Sequence, residues 1–404
     1  MSAAPSPDRL VTRGFVALAV ATLAFFVAAG VVLPVAPTFA KEALGADETG
    51  VGIAIASFSI AALVLRPLVG WSSDRFGRRP LLIGGALVTV AALGLHLVAD
   101  DLAVFVAARA LLGAGEGFFF VAAIAAGSDL APETRRGEAI SFLSLSLYLG
   151  IAIGPPIGEA AVSMSGGAYD AAWLAAIVVA VLAVALSLVV PESAPGALAP
   201  KGTPRTRGRL IHPAGLFPGF ISLLGLWGMA GFFTFLPLHA RELGMDGAGL
   251  PLVLYAMIVV VLRVIGARWP DRFGAATVSG AALVVTALGL GLIGLLPSVE
   301  GLILGTAVFA TGVAFIMPAL LALAVSRVPP TERGTVAGTV TVFLDVSFGV
   351  APVVLGLLAN RAGYEPTFLF SAVLAAAGAA LLFARRGSLQ AVPAPAAANM
   401  TTGS

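Results

Sequence analysis

Runs of roughly twenty apolar residues alternate with short polar turns along almost the whole chain. Each run is long enough to cross a hydrocarbon layer as an α-helix and too long for a barrel strand. The pattern predicts helices at 14–39, 51–70, 80–98, 103–126, 139–162 and 169–190. A second set follows at 214–238, 250–267, 275–296, 301–325, 335–358 and 366–384. Between the sets lies a polar stretch, 191–213, with five prolines from Pro191 to Pro213 and the bases Lys201, Arg205, Arg207 and Arg209. Proline at that density breaks helices, so the stretch reads as a linker. The expected fold class is therefore an all-α membrane protein with twelve transmembrane helices. The expected halves are 1–190 and 214–386, with 387–404 as a disordered Ala/Pro/Thr-rich tail.

Composition agrees with the pattern. The chain is 59% hydrophobic and 11% charged, against about 25% charged in soluble domains. A soluble core cannot take up so much apolar surface. With no cysteine, thiolate chemistry, disulfides and cysteine metal sites are excluded. Three histidines, His96, His212 and His239, have no metal-ligand spacing. The first apolar run is too long for a signal peptide. No cofactor and no nucleic-acid partner is expected.

Charge sorts by side. With the N-terminus placed in the cytoplasm, 17 of the 23 Lys and Arg fall on the cytoplasmic side and 3 (Lys41, Arg241, Arg361) on the outer side. Arg66, Arg109 and Arg263 complete the number, inside the spans. This bias predicts both termini in the cytoplasm and an inner or plasma membrane location.

A charged stretch, Arg66 to Arg79, joins the second and third runs. It holds Gly70, Asp74, Arg75, Gly77, Arg78 and Arg79. A second copy begins at Arg263, 197 residues on, and carries Asp271, Arg272, Phe273 and Gly274 at the same offset. Ala275 and Ala276 replace the final basic pair there. The offset also relates Pro132, Thr134, Arg136 and Gly137 to Pro329, Thr331, Arg333 and Gly334, and Pro155 to Pro352. A chain that repeats itself after half its length reads as a duplication, two six-helix pseudo-repeats.

Gly70-x-x-x-Asp74-Arg75-x-Gly77-Arg78-Arg79 resembles the loop 2–3 signature of the major facilitator superfamily of secondary transporters. Arg109-x-x-x-Gly113-x-Gly115 resembles its helix 4 motif, although Leu112 stands where the family often has glutamine. Gly150, Gly154, Pro155 and Gly158 resemble the helix 5 motif that leans towards antiporters, with Glu159 in its last place. The resemblance implies a cavity between two halves, worked by alternating access. It implies a gate at Asp74 with Arg75 and Arg78 beside it, and a weaker twin at Asp271.

The residues by themselves leave alternatives. The loop arginines also serve simple topology. Arg66 and Arg263 either snorkel to the interface or pair with a carboxylate of the opposite half. Arg109 and Glu116, two turns apart on one helix face, form a structural ion pair or a proton-coupling site. Asp345 is deep in the second half, and its repeat mate is Tyr148. A carboxylate there needs a partner, water or a proton. The glycine stripe of helix 5 marks close approach of another helix, taken to be helix 11. Glu159 sits near the outer end of its span, where water would satisfy it. The phenylalanines at 118–120, 232, 233 and 235 line a pocket or face lipid.

The expectation is a monomeric, proton-coupled exporter of a small organic molecule. An importer or facilitator of a sugar or organic acid is the alternative within the fold. A membrane sensor or enzyme is the alternative outside it. No Walker A pattern supplies ATP drive.

Overall fold

In a computed structural model, residues 10–132, 135–193, 211–329 and 332–385 are described, apart from the side chains at 66, 67, 70, 71, 73, 74, 137, 141 and 334. The expected linker and tail lie mostly outside these residues. Twelve long helices occur among the described residues. They are α1 Arg13–Thr38, α2 Glu48–Phe76, α3 Arg78–His96, α4 Leu102–Leu130, α5 Arg136–Met164 and α6 Asp170–Val189. Then come α7 Pro213–Glu242, α8 Gly249–Ile265, α9 Ala275–Leu295, α10 Val299–Val325, α11 Arg333–Ala362 and α12 Tyr364–Ala384. Eleven are long and apolar enough to cross a membrane. The eighth, α8, has 17 residues and is followed by a short helix, Trp269–Phe273.

Local chemistry sets the helix starts. Asp47 accepts from Gly50 N at 2.8 Å, Asp101 from Val104 N at 2.9 Å and Ser298 from Gly301 N at 3.0 Å. Each side chain satisfies a first-turn N–H that has no partner within its own helix. The helices outrun the hydropathy pattern at polar ends. Thus α2 continues to Phe76, through the charged stretch that the sequence suggested as a loop. The turn shrinks to Gly77 alone, at φ 99°. Its repeat mate Gly274 has φ 86° and likewise stands directly before a helix. A side chain at either position would strain the left-handed backbone. Beyond the hydrocarbon a helix no longer needs apolar residues, so hydropathy could not mark where α2 stops.

Packing repeats with the sequence. In the first half α1 packs on α5 and α6, α3 on α4 and α6, and α2 on α4. In the second half α7 packs on α11 and α12, α9 on α10 and α12, and α8 on α10. The offset of 197 survives at atomic detail. A Cβ at Gly115 would fall 2.5 Å from Thr89 Oγ1, and one at Gly312 would fall 2.3 Å from Thr286 Oγ1. Between the halves, α2 packs on α11 and α5 on α8.

The helix 5 stripe meets a different partner from the expected one. A Cβ at Gly154 would lie 2.4 Å from the Gly30 carbonyl carbon, and one at Gly150 2.4 Å from Phe26 O. The stripe therefore faces α1 of its own half, not α11. Glycine reports close approach, and its sequence does not say by which helix. Phe119, Phe232 and Phe235 are wholly buried in aromatic stacks, with Phe25 for the first and Tyr255, Phe309 and Tyr364 around the others. They are core, and not lipid-facing.

Candidate functional site

The candidate residues fall in three layers. The first is the face that carries the α2–α3 turn, here the basic face. Arg78 Nε lies 3.2 Å from Asp129 Oδ2 at the end of α4. Glu192, just beyond α6, accepts from the backbone N–H groups of Arg78 at 2.8 Å and Arg79 at 3.2 Å. The Arg79 side chain donates to the Leu188 carbonyl. A carboxylate at the positive end of α3 is favourable both as an acceptor and against the helix dipole. Arg78 and Arg79 are thus tied to α4 and to the end of α6 in their own half. Arg75 is exposed, with its guanidinium 5.8 Å from the Phe76 ring centre. The side chains of Arg66, Gly70 and Asp74 lie outside the described residues. In the second copy, Asp271 and Arg272 are exposed, and Arg272 lies over Phe273 at 5.2 Å.

Two partners in this layer escaped the sequence reading, Asp129 and Glu192. Glu192 follows Pro191 in what looked like plain linker, and Asp129 stands in a polar helix end. Each looks like an ordinary solvated acid until the α2–α3 turn is placed beside it.

The middle layer holds the intramembrane charges. Arg109 on α4 is 7% exposed. One turn on, Gly113 allows α2 to touch: a Cβ there would fall 2.0 Å from Phe58 O. The same approach sets the Phe58 ring 5.0 Å from the Arg109 guanidinium. Arg109 makes no ion pair among the described residues, and its Nε is buried without a hydrogen bond. Glu116, half-buried two turns along, is a carboxylate whose charge acts on it. The expected direct pair is therefore replaced by a cation–π contact with a carboxylate nearby.

Arg263, near the end of α8, makes no ion pair among the described residues, and its Nε is buried without a hydrogen bond. Its guanidinium lies 4.5 Å from the ring centre of Tyr148, on α5 of the opposite half. Tyr255 stands beside both. Asp345 is half-buried in the middle of α11. The offset that relates Arg263 to Arg66 also relates Tyr148 to Asp345.

The third layer is the opposite face, where the halves are pressed together. Along the α2–α11 crossing, a Cβ at Gly52 would fall 2.1 Å from Pro352 O and one at Gly356 2.4 Å from Glu48 O. Asn360 donates to Asp47 at 2.8 Å, and Tyr364 to Glu48 at 3.3 Å. Lys41 pairs with Glu48 at 2.6 Å, and Arg241 pairs with Glu42. Along the α5–α8 crossing, Glu159 accepts from Ala248 N at 2.5 Å and Gly249 N at 2.8 Å. This corrects the expectation that water satisfies Glu159: the first turn of α8 does.

Twelve apolar helices in two matching sets, with charges buried between them, form an arrangement that known proteins share. The Major Facilitator Superfamily pattern matches residues 18–270 and 246–401. An uncharacterised MFS-type transporter of Salmonella typhimurium is 30% identical over 363 residues, covering 87% of this chain and 91% of its own. A second, from Burkholderia mallei, is 30% identical over 395 residues and covers 93% of each chain. Among solved structures, a POT family transporter aligns with a TM-score of 0.80 at 14% identity, over 94% of this chain and 97% of its own. The human organic anion transporter MFSD10 aligns at 0.69 with 19% identity, over 92% and 99%. The chain belongs to the Major Facilitator Superfamily and is a multi-pass membrane transporter.

Proposed function

We propose that the chain is a proton-coupled exporter of a small organic molecule, working as a monomer by alternating access in a cell membrane with both termini in the cytoplasm. The basic residues gathered on one face support the orientation. The helix 5 motif and the intramembrane acids Glu116 and Asp345 support coupled export. The loop 2–3 motif, from Gly70 through Asp74 and Arg75 to Arg79, serves as the cytoplasmic gate in this reading.

One observation carries the reading most. Arg109 is buried with an unbonded Nε and no ion pair among the described residues, while Glu116 stands two turns away. A buried guanidinium without a close counter-ion is costly. That cost is bearable where the counter-ion changes distance or protonation during a cycle, as a proton carrier requires. Glu116 takes the proton in one state, and Arg109 stabilises the carboxylate in the other.

The test uses everted vesicles, a substrate panel and a dye-reported pH. Glu116→Gln should lose transport driven by a pH gradient and keep substrate-for-substrate exchange. The double variant Arg109→Met with Glu116→Leu should stay inactive. Active gradient-driven transport by that apolar pair would defeat the claim that Glu116 couples the proton.

A further inference from the structure

The two crossings between the halves are related by the repeat, yet they differ in chemistry. Gly52 on α2 is the repeat mate of Gly249 on α8, and Pro352 on α11 is that of Pro155 on α5. At the matching place of the α2–α11 crossing, Gly356 lies directly against the Glu48 carbonyl, with the side-chain bonds of Asp47 and Glu48 to Asn360 and Tyr364 further along. The repeat mate of Gly356 is Glu159. So one residue converts the second crossing from a backbone contact to a carboxylate that caps the facing helix.

The socket for that carboxylate is built. A Cβ at Gly247 would lie 2.5 Å from Glu159 Oε1, and one at Gly249 2.5 Å from Oε2. Both glycines leave the volume that the carboxylate fills. Its two oxygens each take one N–H from the first turn of α8. Both bonds are charge-assisted and lie on the positive end of the helix dipole. The charged group acting on Glu159 from elsewhere is Arg241, in the last turn of α7. Arg241 is paired with Glu42, which also accepts from Tyr169 OH at 2.6 Å. Asp246, in the turn before α8, is exposed.

We propose that Glu159 is a proton-released latch: ionised, it holds α8 to α5 and keeps the outer face shut; protonated from outside, it lets the two helices part. Protonation removes the charge and puts a donor where only donors face it. The α2–α11 crossing has no such group at the matching place, so it acts as the pivot and α5–α8 as the leaf that opens. This rests on the alternating-access reading above, and it adds a second proton site, distinct from Glu116.

The test exploits the absence of cysteine. Ala256→Cys places a reporter on α8, two turns inward from Gly249 on the same face, at a position that is fully buried. A membrane-impermeant thiol reagent is applied from outside, with Asp246→Cys as the exposed control for the reagent's own pH trend. From about pH 8 to about pH 5, corrected labelling of Ala256→Cys should rise roughly tenfold, the factor for losing one charge-assisted hydrogen bond. With Glu159→Gln added, labelling should be fast and flat with pH. Gly249→Ala, which fills the socket, should also label fast. Flat labelling with Glu159 present overturns the latch even if neither variant reaches the membrane. A pH response that persists in Glu159→Gln overturns it too. The assay needs no substrate and no gradient. The response should persist in Glu116→Gln, so loss of coupled transport there leaves this result standing.

Discussion

Replacing Gly154 by alanine tests the α1–α5 crossing with one methyl group. Its Cβ would sit 2.4 Å from the Gly30 carbonyl carbon and 2.5 Å from Gly30 Cα and Val31 N. These are backbone atoms of a helix, and no rotamer change moves them. Carbon contacts settle at about 3.5–4.0 Å, so the helices must part by about 1 Å. Overpacking of this kind costs about 1–3 kcal/mol, against a helix-propensity gain of about 0.5–1 kcal/mol for replacing glycine. Gly84→Ala is the matched control, because nothing lies within 4 Å of its Cβ position in α3. It keeps the gain without the clash. In detergent, intrinsic fluorescence should show Gly154→Ala melting about 2–4 °C below wild type. Gly84→Ala should melt at or above wild type. If Gly154→Ala melts no lower than Gly84→Ala, the crossing is looser than the geometry says and the argument fails.

Tyr148→Phe should keep the contact with Arg263 and leave the melting temperature near wild type, whereas Tyr148→Leu should lose about 0.5–2 kcal/mol of cation–π stabilisation and melt lower. Equal melting of the two variants would show that the ring face does not hold Arg263. Glu192→Ala should remove the acceptor at the start of α3 and cost about 1 kcal/mol, as other helix caps do. Hydrogen exchange at the first-turn amides of α3 should speed up by roughly fivefold, the factor for that energy, and unchanged protection would discount the cap.

Hydropathy made the twelve long helices legible, because the hydrocarbon layer demands apolar runs of any sequence that crosses it. The repeat was legible through Asp74 and Asp271 and their neighbours, because the charged turns differ so sharply from their surroundings. Partners were not legible. The stripe at Gly150, Gly154 and Gly158 announced a close neighbour, and α1 and α11 would have satisfied it equally. The helical course of Trp71 to Phe76 was hidden because polar residues at a membrane surface suit helix and loop alike. Glu159 looked solvated because an acid near a span end has water as its default partner. Only the placement of Gly247 and Gly249 beside it shows otherwise.

The matching contacts Thr89–Gly115 and Thr286–Gly312 show what the two copies of an ancestral half have both retained. These are fittings of frame, where one helix touches another. The charges of the spans, Arg66 and Arg263 apart, follow the opposite rule. The repeat mates of Arg109 and Glu116 are Thr306 and Val313, that of Asp345 is Tyr148 and that of Glu159 is Gly356. A hypothetical chain made of two first halves would keep much of the frame and present its charges twice, as rotated sets. It would carry two copies each of Arg109 and Glu116, and nothing corresponding to Asp345. Such a molecule would have no chemical difference between its halves. The frame is thus present twice in this chain, while each of these charges stands in one half alone.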